Sequence, residues 1–407
     1  MWTSAFSVNQ RSVMVWPFVI GVTLVSGCGG GDSSSGGDRS EDQDRVGYFI
    51  DSAVEGLEYE GDHHQGLTGE DGSFIYREGT NVFFSVGSIG LGSVEATRIV
   101  TPMSLVNNGS PDTPEVIDMA RFLLMIDSDG DPSNGIQISA EAREAADDWV
   151  LEFGSTSYDE DLEIIRQELS AIEQREIDVP SDDDIEAHIT HSFFCAYAGA
   201  YEGTYSGGWN GRAATIIFEG EILGGAENFD TGSQLIAFGK MVPSADVNAA
   251  FGGGSSGTRF AGSISGDGVF SGSWEEEYRG AMYKGSFKLE KENLLPAINT
   301  EEDTYLLAYD TLSGRLDETG DVGLLRVVTH SDGTVEGEGF STNRWLLYPG
   351  QERFDVTGTY HDGTFTLNTA IGSFTASKQP DGRIVGNPGY VGPFGSSIVV
   401  GCRELVN

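Results

Sequence analysis

Positive charge is scarce in this sequence. Against 64 Asp and Glu stand only 23 Lys and Arg in 407 residues, a formal net charge of −41. A surface this anionic repels DNA, RNA and acidic lipid headgroups, so binding driven by phosphate contacts is all but excluded and no nucleic-acid partner is expected. Long apolar runs are missing too. The apolar stretch Val13–Val25 is interrupted by Pro17 and falls short of the ~20 residues a membrane-spanning helix needs. Catalytic signatures are equally lacking: there is no H-E-x-x-H and no P-loop. Gly253-Gly254-Ser255-Ser256-Gly257 spells G-x-S-x-G, but its Gly/Ser surroundings offer neither the strand before nor the helix after that a nucleophile elbow requires. His188 and His191 stand one helical turn apart with Glu186 nearby and read as polar-face histidines, while His63-His64 reads as a solvated turn.

Glycine, by contrast, is abundant. Its 57 residues are about twice the usual share, while aromatics hold at 10%, so turns are plentiful and apolar content still suffices for a core. This composition predicts a β-rich protein of two or three domains.

The first 27 residues have the anatomy of a secretory signal: a polar start with Arg11, an apolar run, then small residues. The junction Val25-Ser26-Gly27-Cys28 resembles the lipobox of bacterial lipoproteins. That resemblance implies cleavage before Cys28, diacylation of its thiol and attachment to a membrane by acyl chains. Gly29 follows where an Asp would resemble the inner-membrane retention signal, so the outer membrane is the expected address. Residues 28–45 are Gly, Ser, Asp and Glu with almost nothing apolar, the composition of a disordered tether. With Cys28 lipidated, Cys195 and Cys402 remain, and a pair in an oxidising compartment is most simply one disulfide; a free thiol is the other reading.

Three segments follow. In residues 46–106 short β-prone runs alternate with turns, and Thr68-Gly69-Glu70-Asp71-Gly72-Ser73-Phe74 is a turn entering a strand. This T-x-x-D-G-x-F element, after an extended Val-x-Gly run, resembles carboxypeptidase regulatory-like modules. The resemblance implies a transthyretin-like β-sandwich serving as stalk, spacer or accessory binding unit. Residues 107–196 carry helical patterning: Glu115–Ile126 with Thr113 as N-cap before Pro114, then Ala140–Phe153, Tyr158–Glu176 and Ser181–Phe194. Between the first two helices lies Asp127-Ser128-Asp129-Gly130-Asp131-Pro132-Ser133-Asn134. Carboxylates at alternate positions of a tight loop suit a hard cation taking oxygen ligands, so Asp127, Asp129, Asp131 and Asn134 are candidate ligands for a structural calcium ion. The run resembles the D-x-D-x-D start of EF-hand and dockerin loops, but Pro132 stands where EF-hands need Gly and Ile138 where they place the bidentate Glu. An Asp/Asn-rich turn without metal is the competing reading.

Residues 197–407 are short alternating runs separated by Asp-Gly and Gly-Asp-Gly turns, which predict antiparallel hairpins. Arg259–Phe270 is echoed at Arg353–Phe365. The style resembles the β-barrels of transferrin-binding-type surface lipoproteins, without a signature of that family, and implies architecture only. The expected fold is therefore mainly β with a small helical insert: a transthyretin-like sandwich, a short helical segment, then an antiparallel barrel or double meander with a two-fold internal repeat. Trp209, Trp274, Tyr278, Tyr283, Trp345 and Tyr390 fall in or beside its turns and strands, placed to stack on a glycan, to meet a protein, or to fill a core. The expected function is that of a non-enzymatic, lipid-anchored surface protein with a structural, adhesive or ligand-binding role. An exported carbohydrate hydrolase using two carboxylates, and capture of a host or environmental ligand by barrel loops, are the rival readings.

Overall fold

The computed structural model describes residues 43–253, 257–292, 303–310, 321–343, 352–370, 372–379, 382–386 and 399–404. Cys28 with its lipobox, the tether up to residue 42, Gly254 to Ser256, Trp345 and Tyr390 lie outside the described residues.

The first strands are β1 (Asp44–Phe49), β2 (Val54–Glu55), β3 (Glu58–Gly61), β4 (Gln65–Leu67), β5 (Ser73–Arg77), β6 (Asn81–Val86), β7 (Ile89–Glu95) and β8 (Ile99–Val100). They form two small sheets, ordered β5-β1-β8 and β4-β3-β6-β7. Alternation decides their faces: in β5, Phe74 and Tyr76 point inward while Ile75 stays exposed. Phe74 then meets Phe84 edge-on at 5.1 Å across the two sheets. The Asp-Gly turn before β5 has a concrete cause, since Asp71 Oδ1 accepts from Ser73 N–H and Gly72 adopts φ +76° where a Cβ would lie 2.5 Å from Phe49 O.

Next come α1 (Pro102–Leu105), α2 (Pro114–Met125), β9 (Ile136–Gln137), α3 (Ala140–Ala146), α4 (Tyr158–Glu173) and α5 (Asp182–Tyr197). Thr113 and Ser181 are the N-caps expected from sequence, and the Ser181 hydroxyl accepts from Asp184 N–H. α3 stops at Ala146 rather than Phe153, and Ser88 of the β6–β7 turn takes up the freed carbonyls, its N–H donating to Ala146 O and its hydroxyl to Trp149 O. α4 ends at Glu173 with Gln174 left-handed at φ 55°. The helical segment has no core of its own: Met119, Phe122 and Leu123 pack with Phe49, Val54 and Leu57, and β9 pairs with β2.

Two closed antiparallel eight-stranded barrels follow. The first comprises β10 (Gly199–Gly207), β11 (Gly211–Phe218), β12 (Glu221–Asn228), β13 (Gln234–Val242), β14 (Asn248–Gly253), β15 (Thr258–Ile264), β16 (Val269–Tyr278) and β17 (Ala281–Glu292), closed by β17 on β10. The second comprises β18 (Asp303–Asp310), β19 (Asp321–Thr329), β20 (Thr334–Asn343), β21 (Glu352–His361), β22 (Thr364–Thr369), β23 (Gly372–Lys378), β24 (Ile384–Gly386) and β25 (Val399–Arg403), closed by β25 on β18. Closure leaves neither sheet an open edge. The sequence echo falls on strands six and seven of the first barrel but four and five of the second. It marks a shared hairpin chemistry, Gly or Asp-Gly between inward-facing apolar residues, and not the register of the two-fold repeat.

Both described lumens hold side chains. In the first, Phe251 stacks on Phe260 at 4.7 Å, Phe270 meets Phe287 edge-on at 4.9 Å, and Trp274 donates its indole N–H to Ser206 O at 3.0 Å. Gly285 makes room for that indole: a Cβ there would lie 2.5 Å from Trp274 Nε1. Much of the glycine excess thus serves strand crowding as well as turns. The second lumen is filled by Tyr305, Leu307, Tyr309, Leu325, Phe365 and Phe374. Between the barrels, β11 is buried on both faces, with Ile217 inside and Ile216 and Phe218 packed outward against Leu306, Leu324 and Phe340.

Candidate functional site

In an up-and-down barrel, alternate loops share one end. The β11–β12, β13–β14 and β15–β16 loops of the first barrel all meet the N-terminal assembly: Glu219 reaches α5, Ala245 N–H donates to Gly109 O, and Asp267 Oδ1 accepts from Arg98 N–H. From the second barrel, Gly382 of the β23–β24 loop and Cys402 of β25 arrive at the same helix. A cavity of about 50 Å³ remains where these elements converge, lined among others by Ser52, Pro132, His188, His191, Cys195 and Cys402.

Helix α5 supplies most of its chemistry. Residues 188, 191, 192 and 195 share one side of the helix because they are three, four or seven positions apart. His188 Nε2 lies 3.2 Å from Asp51 Oδ1, and that carboxylate is 1% exposed. Burial pulls His188 down, but the charge and hydrogen bonding of Asp51, with a contribution from Asp127, outweigh it and hold the imidazole above its ordinary value. One turn on, Ser192 Oγ accepts from Ser52 N–H, whose residue is left-handed at φ 56°. His191 Nδ1 lies 3.2 Å from Glu219 Oε1, and its two ring nitrogens lie 3.6 and 3.8 Å from Cys195 Sγ. Cys195 is disulfide-bonded to Cys402, Cα to Cα 6.1 Å, across a sequence separation of 207. This is the pairing expected from cysteine count, and it joins the end of α5 to the last strand.

No family model matches the chain, and no curated protein is significantly similar to it. Geometry therefore carries the functional reading.

The Asp127 loop forms one wall of the junction. Its base is closed by an Asp127–Ile138 bridge, with Gln137 N–H donating to Asp127 Oδ1. At its tip Asp129 accepts from Asp131 N–H and from the Asn134 amide, both at 2.8 Å, while Asp131 turns to Ser133 N–H and Oγ. The three carboxylates are not gathered on one point. Among the described residues, the group of three or more His, Cys, Asp or Glu ligand atoms lying within 4.8 Å of one another is His191, Cys195 and Glu219. Asp127 is nonetheless fully buried, its Oδ2 has no hydrogen-bond donor, and burial, aided by Asp129 and opposed by Gln137 N–H, pushes its carboxyl up to about 6. The loop's carbonyls tie the assembly together: Pro132 O accepts from Ser52 Oγ, Ser133 O from Lys378 and Asn134 O from Arg403.

The sequence singled out His188 and His191 but paired them with Glu186. Their partners are Asp51 and Glu219, 137 and 28 residues away, which no local pattern reveals. His191 and Cys195 are four apart on a helix, a spacing the sequence reading missed because it ended that helix at Phe194 and not at Tyr197. Of the aromatics, Trp274 is core, whereas Trp209 stacks on Tyr283 at 4.3 Å and meets Tyr278 edge-on at the opposite end of the first barrel. Exposed Met282 and Phe229 lie at that same end. A second cavity of about 80 Å³ lies between the barrels beside a buried Arg326–Glu404 pair and Lys291, whose amine burial pulls down to about 8.

Proposed function

We propose that the chain is an exported, lipid-anchored protein of the outer membrane, without enzymatic activity, whose N-terminal sheets and twin barrels form a rigid scaffold presenting a binding or adhesive surface. The observation that carries this reading is the filled lumen of the first barrel. Phe251, Phe260, Phe270, Phe287 and Trp274 occupy the space that ligand capture inside the barrel, or a catalytic cleft pairing two acids, would need. Binding is then referred to the outer rim. There exposed Tyr278, backed by the half-buried Trp209–Tyr283 stack, is an aromatic surface of the kind that meets sugar rings or protein hot spots. The lipobox at Cys28 supports the anchor, and the buried Phe74 behind the Asp71-Gly72 turn supports an accessory module like the carboxypeptidase regulatory-like units.

The test of the anchor is processing. Inhibiting lipoprotein signal peptidase should leave the precursor uncut, and Cys28→Ala should appear in the soluble exported fraction. Wild-type protein released without lipid would overturn the reading. For the rim, Trp209→Ala and Tyr283→Ala should abolish retention on immobilised glycans or cell-surface extracts while leaving the fold intact; equal retention would remove the rim from consideration. Calcium on the Asp127 loop belongs to the same reading as a structural clamp, supported by the buried, donorless Asp127 Oδ2. Titration calorimetry after chelation tests it, with heat equal to that of an Asp127/Asp129/Asp131 to Ala variant counting against it.

A further inference from the structure

The His191, Cys195 and Glu219 cluster lies at the disulfide, and its geometry suits a second state of that bond. Tetrahedral zinc holds thiolate sulfur at ~2.3 Å and imidazole nitrogen at ~2.0 Å, which sets their mutual separation near 3.5 Å. Cys195 Sγ lies 3.6 Å from His191 Nε2 and 3.8 Å from Nδ1, so the separation is in place and a rotation of the ring aims Nε2 at a shared metal. Glu219 Oε1, 3.2 Å from Nδ1, stands where a carboxylate orients the ring of a metal-bound histidine. Glu219 is itself fixed by the β11–β12 turn, where it adopts φ 48° ahead of Gly220. Cys402 brings the second sulfur. The disulfide is buried but bordered by both the 50 Å³ and the 80 Å³ cavities, so a metal-bound water has room.

We propose that reduction of Cys195–Cys402 creates a thiophilic divalent-metal site, with zinc held by the Cys195 and Cys402 thiolates and His191 Nε2, Glu219 positioning the imidazole, and the fourth position open to the junction cavity. The steps balance. A phosphine takes up the oxygen of one water and delivers two electrons and two protons to the disulfide, giving two thiols and a phosphine oxide. The metal then displaces both thiol protons, so loading releases two protons per ion and strengthens with pH. In the oxidised state the sulfurs are bonded to each other and the site is closed. The two cysteines would thus serve as a covalent link between α5 and β25 when oxidised and, with His191, as a metal link between them when reduced.

The experiment uses the full-length Cys28→Ser chain, so that the pair supplies the only thiols. Oxidised and phosphine-reduced samples are freed of metal, then titrated with Co²⁺ as a spectroscopic probe and with Zn²⁺ as competitor. The reduced protein should take up one Co²⁺ with the thiolate charge-transfer and tetrahedral bands of a sulfur-rich site, bleached by one Zn²⁺. The oxidised protein should show neither. Glu219→Gln should weaken binding about 10- to 100-fold, as loss of an orienting partner does, and His191→Ala should abolish the tetrahedral spectrum. Zinc should also raise the melting midpoint of the reduced chain and leave that of the oxidised chain unchanged, a readout that holds even where the reduced, metal-free chain is loosened. Absence of a tetrahedral spectrum in the reduced wild type overturns the proposal, as does binding that His191→Ala and Glu219→Gln leave unchanged, the mark of two thiols acting alone.

Discussion

Replacing Asp127 with Asn should stabilise the protein at neutral pH in the absence of divalent cations. The Asp127 carboxyl is fully buried, with Gln137 N–H on one oxygen and no donor on the other. Burial pushes it up to about 6. A folded-state value above the unfolded one means that the charged form is penalised only in the folded protein. The penalty is absent below about pH 4, grows as pH rises and is complete above about pH 6. A shift of about two pH units bounds the penalty at ~3 kcal/mol, and relaxation of the loop brings it to about 2 kcal/mol. Asn keeps the acceptor for Gln137 and can donate its amide to Asp129. Wild type and Asp127→Asn should therefore melt together near pH 4, in chelator, and diverge by about 2 to 3 °C in favour of the variant near pH 7.5, given an unfolding entropy of roughly 0.8 kcal/mol per degree for a chain this size. Calorimetry across that range is the assay. Millimolar calcium should reverse the order, because a bound cation turns the same charge into a favourable partner that Asn cannot replace. A difference between the two proteins that does not vary with pH would refute the reasoning.

Other substitutions probe the remaining joints. Cys195→Ser with Cys402→Ser, in metal-free buffer, should cost about 5 kcal/mol by chain entropy for a link spanning 207 residues, measured by denaturant unfolding against the oxidised parent. Trp274→Ala should cost about 3 to 5 kcal/mol, because its ring meets Tyr205 at 5.2 Å inside a filled lumen; a loss under about 1 kcal/mol would mean that the lumen collapses freely. His188→Gln should flatten the pH dependence of stability near neutrality. A raised histidine contributes fully below its unfolded value of ~6.5 and loses that contribution as pH climbs through its folded value, so the variant should differ most at low pH, where Asp51 loses its buried cation.

Much of the architecture was legible because it rests on local rules. Thr113 before Pro114, Ser181 before three aspartates and the Asp-Gly hairpin turns each act within a few residues, and the structure uses them as expected. The number of barrels was not legible. An Asp-Gly hairpin looks the same wherever it occurs, and closure depends on β10 meeting β17 and β18 meeting β25, contacts between strands about 80 residues or more apart in sequence. The junction was half legible for the same reason. His188 and His191 share a helix and could be paired by spacing. Glu219, Asp51 and Cys402 reach that helix only through packing. The Asp127 loop was the opposite case: its spacing spoke for convergence, yet Asp131 bonds to Ser133 and turns from the others, because Asx turns satisfy Asp129 and Asp131 locally.

The shortage of positive charge takes on a different meaning once the cations are located. Several of the few arginines and lysines are not on the solvent face balancing acids; they are ties between segments. Arg121 is buried against Asp118 and reaches Asp182 of α5, Arg143 donates to Gly56 O and Ile138 O, and Arg175 donates to Asp127 O. Arg403 joins β25 to both Asn134 O and Asp303, and Arg326 is held bidentately by Glu404. Guanidinium groups suit this task, since a planar fork can serve two acceptors at once. Those that pair with a carboxylate cancel one acid each, so the outer surface keeps the acidic balance that the net charge of −41 implies. A partner approaching such a surface is repelled if anionic and gains little lasting affinity from exposed ion pairs in saline, where screening acts within about 8 to 10 Å. Affinity must then come from contacts that do not depend on charge. At the end of the first barrel away from the junction, exposed Tyr278, Met282 and Phe229 lie with the half-buried Trp209–Tyr283 stack, which is the physical reason for placing recognition on that rim and not in the acidic loops.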